Sequence, residues 1–440
     1  MHAPADGTLL AEVAAAGPAE VDRAVRAARA AGAAWAALSP LARGAALRRL
    51  AALVDAAQPE LADLVHREVG KPAGEAAAEV ARAAEVVHHF AGEAERLGAS
   101  LLPDGTLTRG SFTRPDPIGC VAAITPWNFP VALVVWKLAP ALAAGCSMVV
   151  KPAAETPLAA WRLCELAGEA GLPPGLVACL TGDGPLLGEA LSTHPLVDKV
   201  AFTGSRRVAE QIAAWAAPRL KALSLELGGH GALVVLPDAD LEVAAEVAAV
   251  QGYVNAGQAC YAVNRVLAPG RLAGELTERV RARMDAIELG PMVTERGLAR
   301  HHRLLADARA KGARVEGGEP LAGRRVRPAL VTGAGPGVEL VDEEPFTPVV
   351  AVLETADLEA AIAEANRPDY GLVSYVVGGD LGACLRVAER LEAGTVVING
   401  WRVVVPHAPY AGWRGSGVGA ELGRPGLEAF VRWQHLRVLA

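Results

Sequence analysis

The 440-residue chain has only six cysteines, and none stands in a C-x-x-C pair or beside the histidine cluster that a zinc site needs. Cys120, Cys146, Cys164, Cys179, Cys260 and Cys384 therefore read as reduced thiols, which fits a cytoplasmic setting. Basic blocks are missing as well: 42 Lys and Arg stand against 49 Asp and Glu, and the net charge of −7 is spread along the chain. That leaves no electrostatic footprint for nucleic acid or an anionic membrane. The start, MHAPADGTLLAEV, lacks the basic residues and apolar run of a secretory signal. The longest apolar stretch, 129–150, is interrupted by Lys137, Pro140 and Gly145. It is expected to be a buried helix feeding a buried strand, not a membrane span. A strict G-x-G-x-x-G is absent too, since Gly182-Asp183-Gly184 and Gly415-Ser416-Gly417 lack the third glycine or the preceding strand. A nucleotide bound here needs another arrangement.

What is present is apolar material, 52% of residues, enough for a globular protein of about two to four domains. Helical spacing governs residues 18 to about 100, as in Val21, Val25 and Ala28, then Leu47, Leu50 and Val54. From residue 118 short β-branched runs alternate with helical stretches: 118–124, 147–150, 177–180 and 199–202. This rhythm predicts a parallel α/β sheet. The unusual residues follow the strands: Thr125-Pro126-Trp127-Asn128, Lys151-Pro152, Thr181-Gly182 and Thr203-Gly204-Ser205. In open α/β sheets ligands bind there. A second α/β section starts near Gly229, with strands expected at 232–236, 263–267, 349–353 and 373–377. Segments 102–114 and 427–440 alternate like antiparallel strands, Thr106, Thr108, Ser111 and Thr113 among them. They read either as a small oligomer-forming sheet or as a surface hairpin.

Three residues carry candidate chemistry. Glu226 sits between leucines just before Gly228 and Gly229, where an apolar setting lifts a carboxyl toward the range of a general base for water. Taken alone it reads equally as a strand-end surface glutamate. Cys260 follows Gly257-Gln258, a turn that would present a thiol, although a solitary cysteine also serves as a small buried hydrophobe. Asn128 lies on a loop stiffened by Pro126 and Pro130, and is either an oxyanion donor or a turn former.

Taken in order, Trp127-Asn128-Phe129-Pro130, Lys151-Pro152, Phe202-Thr203-Gly204-Ser205, Leu225-Glu226-Leu227-Gly228-Gly229, Asn255-x-Gly257-Gln258-x-Cys260, Glu344-x-Phe346-x-Pro348 and Ser416-Gly417 resemble the aldehyde dehydrogenase superfamily from about residue 8 onward. The resemblance implies an α/β fold with a Rossmann-type cofactor domain (1–101 and 117–228), an α/β catalytic domain (229–424) and a small antiparallel oligomerisation sheet (102–116 and 425–440). It implies a homodimer or homotetramer acting on a small aldehyde. Cys260 would be the nucleophile, Asn128 and the Cys260 amide the oxyanion donors, and Glu226 the base that hydrolyses a thioester. NAD or NADP would lie against Thr125, Pro126, Trp127, Lys151, Thr203, Gly204, Ser205, Leu227, Glu344 and Phe346.

Departures from the family pattern qualify this. Ala154 replaces the glutamate of NAD-preferring members, with Glu155 one residue on, so NAD and NADP both stay open. Ala209 and Thr347 replace glycines, and Ala408-Pro409-Tyr410-Ala411-Gly412 stands for Pro-Phe-Gly-Gly. The aspartate-rich loop expected before Gly290-Pro291 is missing, and the chain begins at the family's Pro-x-x-Gly stretch. The nearest flavour is succinate-semialdehyde dehydrogenase, but its two substrate arginines correspond to Trp136 and Val254. With Tyr261 and Val404 as further walls, the expected substrate is an uncharged aliphatic or aromatic aldehyde. Arg402 or His407 at the pocket mouth would favour succinic semialdehyde; a cage of Tyr253, Tyr261 and Trp136 would favour a betaine or amino aldehyde. Two further readings are a degenerate nucleotide binder with little turnover and a cysteine hydrolase using His230.

Overall fold

The structure, a computed structural model, describes residues 1–102, 110–284 and 286–439. The alternation at Thr106 and Thr108 lies outside the described residues. Four helices open the chain, Pro18–Ala36, Pro40–Ala56, Gln58–Val69 and Ala73–Arg96, in the helical region expected from the apolar spacing. Short strands β1 (Ser100–Leu101) and β2 (Gly110–Pro117) follow. Next come β3 (Cys120–Ile124), β4 (Ser147–Lys151), β5 (Val177–Cys179), β6 (Lys199–Thr203) and β7 (Ala222–Glu226), separated by helices. The later section supplies β8 (Gly231–Val235), β9 (Val263–Pro269), β10 (Arg314–Gly317), β11 (Ala329–Thr332), β12 (Val349–Thr355), β13 (Val373–Val377) and β14 (Thr395–Ile398). Two more strands, β15 (Gly417–Val418) and β16 (Val431–Val438), lie toward the carboxyl end.

These strands make three sheets. The first, ordered β15-β7-β6-β3-β4-β5, is parallel except for β15. The second, β10-β11-β12-β9-β8-β13-β14, is parallel except for β10. The third is the antiparallel set β1-β2-β16. Strands β3, β4, β6, β8 and β13 are buried along their whole length, as parallel strands covered on both faces should be. The sequence groups 229–424 with the second section, yet β15 returns to the first sheet and pairs Gly417 with Glu226. A two-residue strand has no periodicity from which to infer this.

Residues 129–150 form the expected buried unit: the helix Ala132–Ala144, buried throughout, leads into β4. Among the described residues no helix is long and apolar enough to cross a membrane. The opening helices brace the loop that precedes this unit. Glu79 accepts from the amides of Val131 (3.0 Å) and Ala132 (3.2 Å) and pairs with Lys71 at 2.5 Å, both side chains being 1% exposed. The Lys71 ammonium in turn lies 3.7 Å from the Phe129 ring centroid. Glu79→Ala strands a buried ammonium, so it is expected to cost about 3–5 kcal/mol in urea unfolding; a loss under about 1 kcal/mol would count against this bracing role.

Candidate active site

In the first sheet β3 leads outward to β4 on one side, and the chain then returns to β6 on the other. The order therefore reverses beside β3, the point where such sheets bind ligands beyond their carboxyl ends. The loop after β3 carries Thr125 to Asn128, and Gly204 and Ser205 follow β6. Cys260, by contrast, lies ahead of β9, so the second sheet meets this site with its amino ends. Between them opens a cleft of about 680 Å³ lined by Pro126, Trp127, Asn128, Thr203, Gly204, Ser205, Leu227, Cys260, Glu344 and Phe346. These motif residues are separated by up to 220 positions, and the fold brings them together. Thr125, next to Pro126 in the chain, is buried, its hydroxyl without a hydrogen-bond partner among the described residues. Lys151 ends β4 outside the cleft lining, 5% exposed and with no ion pair among the described residues.

The helix Leu241–Tyr253 stops short of the cysteine, and the chain turns through left-handed conformations at Asn255 (φ 49°), Ala256 (φ 54°) and Gly257 (φ 69°). Non-glycine residues there cost of order 1–3 kcal/mol each and persist only when their surroundings hold them. Here the Asn255 amide donates to Glu75 (2.9 Å) and its side chain to the Asn128 carbonyl (3.1 Å). Gln258 donates to the carbonyls of Asn255 (2.9 Å) and Pro291 (3.2 Å) and accepts from the Val293 amide (3.0 Å). At Gly257 a Cβ would strike the Thr347 carbonyl, so glycine is required. The turn expected from Gly-Gln is thus clamped from three elements.

Asn128 donates one side-chain N–H to the Gln258 carbonyl at 3.0 Å, which fixes the amide so that nitrogen, not oxygen, faces the cysteine turn. The second N–H has no acceptor among the described residues. The Cys260 amide has no backbone acceptor among the described residues and stabilises its own sulfur. Burial pushes the Cys260 thiol up to about 12, opposed first by the Tyr410 hydroxyl, 3.3 Å from Sγ.

Glu226 ends β7, 3% exposed, and neither carboxylate oxygen has a hydrogen-bond partner among the described residues. Burial holds its carboxyl well above the usual range, and Glu421 adds to this while Lys137 opposes it. Lys137 is wholly buried and donates to Glu421 (2.6 Å) and Thr203 (2.6 Å). One ammonium therefore faces two carboxyl groups.

Glu344 accepts from the Gly229 amide (3.1 Å), and burial lifts its carboxyl to about 7. A Cβ on Gly228 would collide with this carboxylate, so the bare backbone is what admits it. Arg300 donates to the carbonyls of Glu344 (2.6 Å) and Pro345 (3.1 Å), holding Phe346 at φ 53° with its ring edge-on to Trp127 at 5.7 Å. At the helix Arg206–Ala216, the Gly204 amide is committed to the Glu226 carbonyl (3.0 Å). The amides of Ser205 and Arg206 have no backbone acceptors among the described residues, and so are the donors available for an anion. The replacement Ala209, within this helix, is buried, and the buried Thr347 hydroxyl has no partner among the described residues.

The remaining expectations fare differently. Trp136, Val254, Tyr261 and Val404 do not line the 680 Å³ cleft. Trp136 reaches the site through Tyr410, 5.2 Å between rings, and Tyr261 packs near Phe129 at 5.8 Å. Val254 and Val404 are half-buried against the same apolar cluster. Tyr253 departs from the proposed cage: it is 1% exposed and donates to the Ala329 carbonyl (3.1 Å), deep in the second sheet. Arg402 is exposed and stacks on Trp401, and His407 is exposed. His230, proposed as a hydrolase base, is buried between Asn264 (3.3 Å) and the Val341 carbonyl (3.0 Å), and burial pulls its pKa well down. Sequence reasoning missed the Lys137–Glu421 pair and the arginines Arg296, Arg300 and Arg303 on one wall of the cleft, the last two of them paired with Glu343 and Glu339. For the arginines, the signal was their spacing along one helix, Glu295–Ala310.

The profile described as "Aldehyde dehydrogenase family" matches residues 1–436. The chain is 36% identical to the 3-sulfolactaldehyde dehydrogenase of Pseudomonas putida, over 98% of this chain and 92% of that one. It is 35% identical to the NADP(+) succinate-semialdehyde dehydrogenase of Escherichia coli (strain K12), again over 98% and 92%. A crystal structure of betaine aldehyde dehydrogenase from Staphylococcus aureus in complex with NAD+ superposes with a TM-score of 0.96 at 32% identity, covering 99% of this chain and 90% of that one. With the three motif residues Asn128, Glu226 and Cys260 in their expected order, the chain belongs to the aldehyde dehydrogenase family.

Proposed function

We propose that this chain oxidises an uncharged aliphatic or aromatic aldehyde to its carboxylic acid, with NAD or NADP, through a thioester on Cys260. The observation that carries the reading is that Cys260, Asn128 and Glu344 open on one cleft, while Glu226 stands enclosed with both oxygens unpartnered. The residues fit a dinucleotide: the buried Glu344 carboxylate suits ribose hydroxyls, the Ser205 and Arg206 amides suit a pyrophosphate, and unpaired Lys151 suits the adenosine ribose. Ala154 offers no carboxylate against a 2′-phosphate, which admits NADP beside NAD.

After the sulfur proton leaves, Cys260 attacks the carbonyl carbon. The second Asn128 N–H and the Cys260 amide hold the developing oxyanion, a term worth about 10²–10³ in rate per donor. A nicotinamide held beside Glu344 and Phe346 would supply the acceptor for the hydride that leaves that carbon. Glu226 then takes a proton from water, hydroxide adds to the thioester, and Cys260 leaves as thiolate with the acid released. The three-stranded sheet serves subunit contact in a homodimer or homotetramer: β16, eight residues long, has one edge unpaired among the described residues, with Trp433 and Val438 exposed.

Reduced-nicotinamide formation with hexanal, benzaldehyde, betaine aldehyde and succinic semialdehyde tests the substrate. Hexanal and benzaldehyde are expected to exceed succinic semialdehyde at least about tenfold in kcat/KM, because Trp136 and Val254 stand where the family resemblance puts the carboxylate-binding arginines, and a carboxylate left unpaired costs more than about 1.4 kcal/mol. Nucleotide binding with no turnover of any aldehyde would replace this reading with the degenerate binder. One observation favours an acidic aldehyde instead. Arg82, on the helix Ala73–Arg96, is exposed, makes no hydrogen bond or ion pair among the described residues, and bears electrostatically on Tyr261 beside Cys260. A preference for succinic semialdehyde that collapses in Arg82→Met would establish that second reading.

A further inference from the structure

The Tyr410 hydroxyl lies 3.3 Å from the Cys260 sulfur, at a position where the family pattern carries phenylalanine. Its ring is 4% exposed and edge-on to Trp136, with 5.2 Å between centroids and 64° between planes. Its backbone is pinned in both directions to Glu421, the amide of Tyr410 donating at 2.7 Å and that of Glu421 at 2.8 Å. Held at both ring and backbone, the phenol oxygen is kept beside the sulfur. We propose that Tyr410 is a further catalytic residue, its hydroxyl donating a hydrogen bond to the Cys260 thiolate. This rests on Cys260 being the nucleophile.

Once ionised, the sulfur has no proton to give, so the hydroxyl is the donor. Burial and the adjacent cysteine hold the Tyr410 hydroxyl well above its ordinary value, so the tyrosine keeps its proton throughout and the sulfur proton departs to water. The other charged or titratable groups facing Cys260 do not supply this bond. Glu226 and Glu344 both disfavour a second negative charge there. The Tyr375 hydroxyl is spent on the Tyr261 carbonyl at 2.7 Å, and Tyr261 packs near Phe129. Tyr410 and the Cys260 amide are thus the groups that favour the thiolate.

Tyr410→Phe keeps the ring on Trp136 and removes only the hydroxyl. The test is the pH profile of iodoacetamide alkylation at Cys260, followed on its peptide by mass spectrometry, beside nucleotide-dependent turnover. A hydrogen bond to a charged group is expected to be worth about one pH unit, so the profile moves up by that amount and alkylation near neutral pH slows about tenfold. The cofactor KM stays at its wild-type value. Superimposable alkylation profiles overturn the proposal, as does a shift reproduced by Trp136→Phe, which loosens the packing but keeps the hydroxyl. Retained turnover in Cys260→Ala would sink the nucleophile reading itself, independently of either alkylation profile.

Discussion

Cys260→Ala is expected to lower aldehyde oxidation by at least about 10⁴-fold while nucleotide binding changes by less than about twofold. The asymmetry follows from the geometry. Sγ is the one atom on the turn able to form the carbon–sulfur bond, whereas Glu344, Phe346 and the amides after β6 sit on other elements and keep their places. Alanine also removes no packing of consequence, because Cys260 is only half-buried at the cleft wall. Steady-state turnover and quenching of protein fluorescence by added NAD check the two halves separately. Residual oxidation within about a hundredfold of wild type would mean that another group forms the covalent bond.

Glu226→Gln is expected to separate the two halves of the reaction. Thioester formation needs no base at position 226, so one equivalent of reduced nicotinamide should appear rapidly; water attack then stalls, lowering steady-state kcat by about 10²–10⁴. Mass spectrometry of the quenched variant should show an acyl adduct on the Cys260 peptide, and added hydroxylamine should discharge it. The pH dependence has a definite sign. Burial and Glu421 hold the Glu226 carboxyl protonated above its usual range, and only the carboxylate accepts a proton from water. Wild-type hydrolysis should therefore climb as pH rises beyond the usual carboxylate range, while the variant stays flat. Stability runs the other way: a carboxyl raised in the folded state favours folding below that range and loses this advantage as pH rises. Glutamine, always neutral, should leave the protein at least as stable at alkaline pH, so unfolding does not explain the lost rate. A linear time course without a burst would remove Glu226 from the hydrolytic step.

Much of this site was legible because its parts are short and contiguous. Thr125 to Asn128, Gly204 to Ser205 after the end of β6, and Asn255 to Cys260 are each one short contiguous stretch, where sequence order and spatial order agree. The buried parallel strands β3, β4, β6, β8, β12 and β13 announced themselves as β-branched runs. Edge strand β10, with Arg314 exposed, and two-residue β15 gave no such signal. What stayed hidden is long-range pairing. Lys137 and Glu421 are 284 positions apart, and Asn255 and Glu75 are 180 apart, and nothing local to either partner announces the other. The same holds for Tyr410: its change from phenylalanine is visible in the sequence, but the sulfur it meets lies 150 residues earlier.

That separation has a consequence during synthesis. Chain elongation at about 5–20 residues per second puts roughly 8–30 s between the emergence of Cys260 and that of Tyr410, 150 residues later. Glu421 and β15, which close the first sheet over Glu226, come later still. Through that interval the nascent chain carries its cysteine, its asparagine and its glutamate without the segment that shelters them. The thiol is then open to oxidants and to wrong partners from every side, whereas the finished fold presents it on one wall of a cleft.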